Sequence, residues 1–522
     1  MPQPACIRHT DLPGTSKLFS DFSYHFDRVA QFYEHNPHDP ESFSRVAAQI
    51  DYPNARRAAL VAALRARNGE SENLRKLAEP GTVAVVTGQQ VGLFSGPAYT
   101  IYKALTAVQV AQRLSLRGIP AVPVFWMATE DHDFAEVDHV WVFGNQGVPQ
   151  KLQATAQGDG KQRPVGPVTI AGPPIEQLHA ILKDLPFGDE VAAAVRDAYP
   201  AGVSMGEGFQ RLLQKLLAKF GLLFLDPLDS AIRAIGAPFM ANALGQAAQL
   251  RLRLTERNKE LADAGYHAQV HVDGKTSPFF LLENGERKTL RLKDAEYVSL
   301  LDRAADVSPN ALLRPVWQDF LLPTVAYVGG PGELAYLAQS QVLYDQLLGR
   351  MPVAMSRTGF TVLDSRSEKL LNKFKLTVAQ VMTPETKLKE LVAAALLPPK
   401  LETKLAAGTA KITLQLDAMR ATLQEFDPTL ASALDKSRGK IVYQLEKMRQ
   451  KTAREALRRD QQAVAGAAHL AAMIYPQRHP QERFYSILPL LAQYGLDFVD
   501  QIAQAMEYEC PDHRVYSATN AS

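Results

Sequence analysis

The sequence predicts an α/β protein, an open parallel sheet with helices that also carries a long helical hairpin near its C-terminal end. Three observations predict it. Short apolar runs end in glycine turns that feed helices, in TVAVVTGQQVGLFSGPAYTIYK (82–103) and again in TVAYVGGPGELAYLAQ (324–339). Further apolar runs, PVFWMATEDHDF (123–134) and LLFLD (222–226), end in acids. A heptad seam runs through the Lys-, Glu-, Leu- and Ala-rich stretch after Asp364. Strand, glycine turn, helix, strand is the pattern of βαβ units.

Taken in order, residues 1–78 read as a helical preface: SKLFSDFSYHFDRVAQFY and NARRAALVAALRARN space their apolar residues as helices do. Residues 79–145 hold the first strand, the helix AYTIYKALTAVQVAQRLSLRG with Gly118 past its end, and the second strand. The Gly- and Pro-rich 146–199 suggest hairpins in an inserted module. Residues 200–240 return to the core through LLFLD. Residues 241–309 form a second insertion with AQVHV and a hairpin turning at Asn284-Gly285. Residues 310–370 supply the strand 325–328, its glycine turn and helix, and one more strand in MPVAMSRTGFTVLD. In 371–470, Ile412, Leu416, Met419, Leu423, Phe426 and Leu430 alternate spacings of four and three. Ile441, Leu445 and Met448 repeat them after a break near Pro428 to Gly439. This hairpin either pairs with a second subunit or lies on its own core. Residues 471–522 dock back on the core.

Composition excludes several classes. Of 522 residues, 57 are Lys or Arg and 55 Asp or Glu, a net charge of +2, so no basic nucleic-acid footprint is present. The two cysteines, Cys6 and Cys510, form no CxxC pair, and neither a Cys-rich zinc site nor a disulfide framework is expected. No window approaches about 18 apolar residues, and the start lacks a signal pattern. A soluble, cytoplasmic protein with no membrane partner is expected.

Candidate chemistry gathers in five places. In the first turn, Gln89, Gln90, Ser95 and Gly96 stand beside a helix N-terminus suited to a phosphate or carboxylate; the other reading is a tight turn without ligand. Lys103 follows about two turns into the helix, in reach of the site or on the surface. Glu130, Asp131, His132 and Asp133 stand where a parallel strand ends, the edge at which such sheets bind ligands. His132 with Asp131 or Asp133 can act as acid and base, hold an ammonium, or share a metal. Tyr327 with Gly329, Gly330 and Glu333 forms the second turn, where Glu333 can also be a dipole partner. Arg357 is an anion clamp or a surface arginine. Gln481, Arg483 and Tyr485 can clamp a nucleotide or pack an interface.

TGQQVGLFSGPAYTIYKALTA, PVFWMATEDHDFAEV, VAYVGGPGELAYLAQ and the QERFYS tail together resemble the cysteine-adding enzymes of bacillithiol synthesis, the BshC family, along essentially the whole chain. The resemblance implies a Rossmann-like core similar to that of nucleotidylyltransferases and class I aminoacyl-tRNA synthetases. It implies connecting-peptide insertions at 146–199 and 241–309, and a coiled coil that forms a homodimer. It implies a ligase that joins the carboxyl of L-cysteine to the amine of glucosaminyl-malate, with an adenine nucleotide, ATP or ADP, bound. On that reading Asp131, His132 and Asp133 are catalytic, with His132 the base. Gln89, Gln90, Ser95, Gly96, Glu130, Tyr327, Gly329, Gly330, Glu333 and Arg357 bind substrate. Gln481, Arg483 and Tyr485 bind the nucleotide, and no metal is assigned. Two departures stand out. The first turn reads Gly92-Leu93-Phe94-Ser95-Gly96-Pro97, without the histidines of the synthetase motif, and MSRTG at Met355 only echoes the later synthetase loop. The competing readings are a non-catalytic dimeric module that binds a nucleotide or sugar phosphate, and a nucleotidylyltransferase acting on another metabolite.

Overall fold

Apolar runs that the sequence marks as strands lie side by side in one sheet. The computed structural model describes residues 5–156, 162–273, 276–290 and 294–518. The five strands are β1 (Val83–Gln90), β2 (Ala121–Ala128), β3 (Leu223–Leu225), β4 (Thr324–Gly329) and β5 (Val353–Ser356). They pair in the order β5-β4-β1-β2-β3, and every pairing is parallel. Both faces are covered, so the strands read as continuous apolar runs rather than alternating ones. In β1 the successive residues Ala84, Val85 and Val86 are all fully buried, although they point to opposite faces.

Helix α1 (Tyr99–Leu116) crosses from β1 to β2 and packs on both. Its buried residues run round the whole cylinder, which suits a helix enclosed on all sides. Helix α2 (Arg314–Leu321) leads into β4, and α3 (Pro331–Leu347) connects β4 to β5. The preface joins the same core: Leu60, Leu64, Leu74 and Leu77 pack with Val122 and Trp126. Strand Ala5–Ile7 pairs antiparallel with His513–Ser517 and ties the two ends of the chain together.

Some expectations change. AQVHV forms no strand, because the Gln339 side chain satisfies its backbone: Val270 N–H donates to Gln339 Oε1, and Gln339 Nε2 donates to the Val270 carbonyl. MPVAMSRTGFTVLD makes two strands, β5 and Phe360–Leu363, rather than one. The chain turns at Gly359, where a Cβ would come within 2.8 Å of His513 Nδ1. The Asn284-Gly285 hairpin forms, with φ of 53° and 75° at its two corner residues. Of the hairpins expected in the first insertion, residues 157–161 lie outside the described residues; before them, His139–Phe143 pairs antiparallel with Pro149–Gln153.

The chain divides into two units, Met1–Thr361 with Glu482–Ser522, and Val362–Gln481. The second is helical. Its longest helices are α4 (Pro399–Phe426) and α5 (Pro428–Arg459). The expected break at 428–439 shrinks to a single residue, Asp427, which caps α5 by accepting from Thr429 N–H while Pro428 takes the first helical position. Arg420–Asp435, Arg438–Asp417 and Arg449–Glu402 pair across the hairpin. Of the seam, Leu416 is buried, whereas Ile412, Met419, Phe426, Leu430, Ile441 and Met448 are exposed, Phe426 by 82%. Among the described residues no helix is long and apolar enough to cross a membrane.

Candidate active site

From β1 the chain builds outward through β2 to β3, then returns to the other side of β1 to add β4 and β5. The order therefore reverses between β1 and β4. In open parallel sheets, ligands bind in the crevice that such a reversal leaves beyond the strands' carboxyl ends. A cleft of about 570 Å³ lies there. Gln89, Gln90, Glu130, Asp131, His132, Tyr327, Gly330, Glu333, Arg357 and Arg483 all line it. Ser95, Gly96, Asp133, Gly329, Gln481 and Tyr485 do not.

The first glycine turn is already filled. Phe94, Ser95 and Gly96 all have positive φ, at 49°, 73° and 63°, and only the last is a glycine. The turn's backbone N–H groups point at the hydroxyl of buried Tyr199, which accepts from Phe94 N–H at 3.1 Å and also from Ser95 N–H. Those N–H groups were the expected anion cradle; a phenol oxygen from an inserted helical region occupies it. On the far side Ser486 Oγ donates to the Phe94 carbonyl, and Ala98 N–H donates to the Tyr485 carbonyl at 2.7 Å. Tyr485 is thereby a backbone brace, its ring packed edge-on against Phe143.

The second turn is filled too, by its own glutamate. Glu333 Oε2 accepts from Gly330 N–H at 2.8 Å, and Oε1 accepts from Tyr327 O–H at 2.7 Å. Lys103 completes the arrangement. It is fully buried, not on the surface, and donates to Glu333 Oε2 at 2.6 Å, to the Gly88 carbonyl and to Gln89 Oε1. Burial pulls the Lys103 ammonium below its ordinary range although Glu333 opposes the shift. Burial pushes the Glu333 carboxyl up, but Lys103 and Gly330 N–H outweigh it and leave the group below its ordinary value. Gln89 is used up between Lys103 and Tyr99.

Arg357 is a clamp, but for a residue of the same chain. Its two terminal nitrogens grip Glu482 at 2.8 and 2.6 Å, and Phe360 N–H donates to the same carboxylate. Burial alone would raise the Glu482 carboxyl; the facing guanidinium overrides it and holds the group at about 2. Gln481 spends its amide on the Val362 backbone and the Met473 carbonyl. Of the three residues expected at a nucleotide, Arg483 alone opens on the cleft, over the Tyr99 ring.

The acidic tail of β2 divides its work. Glu130 is 3% exposed and holds Ser308 Oγ at 2.7 Å and Arg233 at 3.4 Å, which fixes this tail to residues 305–309. Asp133 caps the turn of helix Phe134–Val137. Asp131 and Glu136 share one amide: Gln90 Nε2 donates to Asp131 Oδ2 at 2.7 Å and to Glu136 Oε2 at 2.9 Å. Two carboxylates that close attract a cation, and an ammonium suits them. His132 faces Arg287, whose Nη1 lies 3.2 Å from Nδ1. A guanidinium only donates, so Nδ1 accepts and the neutral ring carries its proton on Nε2. In that tautomer Nε2–H is the free donor; Asp131 Oδ1 also lies 3.8 Å from Nδ1. Among the described residues no group of three or more His, Cys, Asp or Glu could hold a metal ion.

Sequence reasoning missed Arg287, Arg314, Glu136 and the burial of Lys103. Arg287 reaches the cleft from the second insertion, where the hairpin register sets it opposite Leu282. Arg314 opens α2 beside Pro315. Neither neighbourhood carries a motif; the Asn-Gly turn predicted the hairpin but not what it faces.

Comparison with known proteins fits this architecture. Residues 6–358 match the family model for the bacillithiol biosynthesis BshC N-terminal Rossmann-like domain, and residues 360–518 match the model for the BshC C-terminal coiled-coil domain. A relative from Solibacter usitatus named "Putative cysteine ligase BshC" is 55% identical over 519 residues, which cover 98% of this chain and 99% of that one. Relatives of the same name from Koribacter versatilis and Symbiobacterium thermophilum are 35% and 33% identical; the alignments cover 98% and 92% of this chain and 99% and 94% of theirs. With a Rossmann-like core, a helical second unit and relatives matched from end to end, the chain belongs to the BshC family.

Proposed function

We propose that the protein is a ligase that joins the carboxyl of L-cysteine to the amine of glucosaminyl-malate, forming an amide. The observation that carries this reading is the cleft's polarity. At the end of β2 the cleft offers Asp131, which shares the Gln90 amide with Glu136, fit for an amine; Arg314 and Arg483, which have no ion pair among the described residues, also line it, fit for carboxylates. Family membership and the relatives' name support the choice of cysteine.

Asp131 and Glu136 hold the amino group as an ammonium. The amine must be neutral to attack, and Asp131 accepts the proton it loses. The neutral amine attacks the activated carboxyl; as the tetrahedral centre forms, its oxygen gains negative charge and His132 Nε2–H donates to it, and collapse breaks the C–O bond to the activating phosphate, which leaves with the electron pair. Arg287 keeps that tautomer in place. Donors aimed at a developing oxyanion act most strongly in a water-poor cleft.

A free carboxylate is a poor acyl donor, and we assign its activation to an adenine nucleotide. Of Gln481, Arg483 and Tyr485, Arg483 alone lines the cleft, and none of them is given a step in the reaction. We also assign the exposed seam of α4 and α5 to a homodimer, which sedimentation of the full chain would test. The ligase reading is tested by incubating the purified protein with L-cysteine, glucosaminyl-malate and ATP and weighing the products. Bacillithiol, with AMP or ADP formed only when both substrates are present, is the expected result. Nucleotide binding without turnover would favour a binding module instead.

A further inference from the structure

Most charges in the cleft are matched from within the chain. Glu130 faces Arg233, Glu333 faces Lys103, and Arg357 faces Glu482. Arg287 stands 4.0 Å from Asp131. Arg314 is different. Three neutral oxygens hold it: Gln318 Oε1 at 3.0 Å, Tyr336 Oη at 2.8 Å and Tyr327 Oη at 3.3 Å. Among the described residues no carboxylate lies in ion-pair distance. Tyr327 stands between it and Glu333, accepting from the guanidinium and donating to the carboxylate. A guanidinium has five N–H groups, and three bonds leave two for a ligand. A partly enclosed cation without a counter-charge is costly unless something else supplies the charge.

We propose that Arg314 is the receptor for a non-reacting carboxylate of the amino-sugar substrate, that of its acid aglycone. This rests on the ligase reading. Arg314 bonds Tyr327 at the end of β4, while Asp131 and His132 stand at the end of β2, two places along in the order β4-β1-β2. Two strand spacings amount to roughly 10 Å. In a glucosaminyl glycoside the amine and the oxygen that bears the acid sit on neighbouring ring carbons, and the acid arm, with a hydrogen bond of about 3 Å at each end, reaches across a gap of that order. The cysteine carboxyl has to meet the amine at the β2 end, so the carboxylate at Arg314 is the one that does not react. Tyr327 and Tyr336 take both N–H groups of Nη2 and fix the guanidinium plane, which leaves one N–H on Nε and one on Nη1 for a ligand. Arg483, exposed at the rim and without an ion pair among the described residues, stands ready for a second carboxylate.

The test is calorimetric titration of the full-length protein with L-malate, glucosaminyl-malate and L-cysteine in turn. Arg314→Gln should weaken both malate-bearing ligands about ten- to a hundred-fold, the range for losing a charge-assisted hydrogen bond, and leave cysteine affinity unchanged. Arg314→Lys should fall between, since it keeps the charge but not the planar, tyrosine-held set of donors. Should Arg314→Gln fail to fold, Tyr336→Phe keeps the cation and loosens its plane, and must still weaken malate. Equal malate affinity in the wild type and these variants overturns the proposal, as does a loss confined to cysteine. The two readings fail separately. Arg314-dependent malate binding in a protein that makes no amide keeps the receptor and removes the ligase. Amide synthesis with an unchanged KM for the amino-sugar in Arg314→Gln does the reverse.

Discussion

The two glycine turns at the ends of β1 and β4 look alike in sequence and differ in what fills them. At Gly92–Gly96 the occupant comes from far along the chain: Tyr199 closes the backbone N–H groups off from the cleft. At Gly329–Glu333 the occupant is local, and the turn still borders the cleft through Gly330 and Glu333. One turn is therefore scaffold; the other is a charged wall. A glycine turn before a helix reports that backbone is approachable, but not whether a ligand or the protein itself approaches it.

The wall's charge balance gives the largest expected effect. Glu333→Ala leaves the buried Lys103 ammonium without its counter-charge, which should cost about 3–5 kcal/mol in chemical denaturation. Adding Lys103→Met should recover much of it; additive losses would mean the pair is not coupled. Next come the groups on the neighbouring strand end. His132→Ala should lower kcat about 10²- to 10³-fold at near-constant stability, as for a lost oxyanion donor. His132→Gln, which keeps an N–H donor but no base, should retain more rate than the alanine variant; equal loss would restore the base role to the imidazole. The scaffold turn follows. Tyr199→Phe strands backbone N–H groups in the interior and should cost about 1–3 kcal/mol, with little change in KM. An equal cost with a large change in KM would place that turn in the site.

The Arg357–Glu482 pair behind the wall is read from the slope of stability with pH rather than from a rate or a binding constant. Glu482 is held at about 2 against an ordinary value of 4.5. The folded state thus binds fewer protons than the unfolded one between these values. The stabilisation is complete above pH 4.5 and is lost as pH falls towards 2. Acid denaturation of Glu482→Gln should show a shallower slope in that window than the wild type.

Much of this fold was legible in the chain. The buried strands betrayed themselves as unbroken apolar runs, since a sheet covered on both faces has no polar side to alternate. Their acid- and glycine-bearing ends marked the cleft, and Gln90, Asp131, His132 and Glu333 do line it. Contacts from remote segments were not legible. Lys103 looked like any helical lysine until Glu333 was placed 2.6 Å away. Arg357 and Glu482 are 125 positions apart, and nothing local in either announces the other. The His132 tautomer depends on Arg287, which arrives on a hairpin from the second insertion. Motifs locate backbone; pairings between distant charges decide which of the marked groups remain available.

If side chains around the cleft hold the ligands, and the backbone of the first turn does not, a crystal structure with glucosaminyl-malate bound will show it. The amine should lie at Asp131 and Glu136 and a carboxylate at Arg314, with Tyr199 still bonded to Phe94 N–H. A ligand oxygen on the N–H groups of Phe94 and Ser95, with the Tyr199 hydroxyl displaced, would be the opposite outcome and would return the first turn to the site.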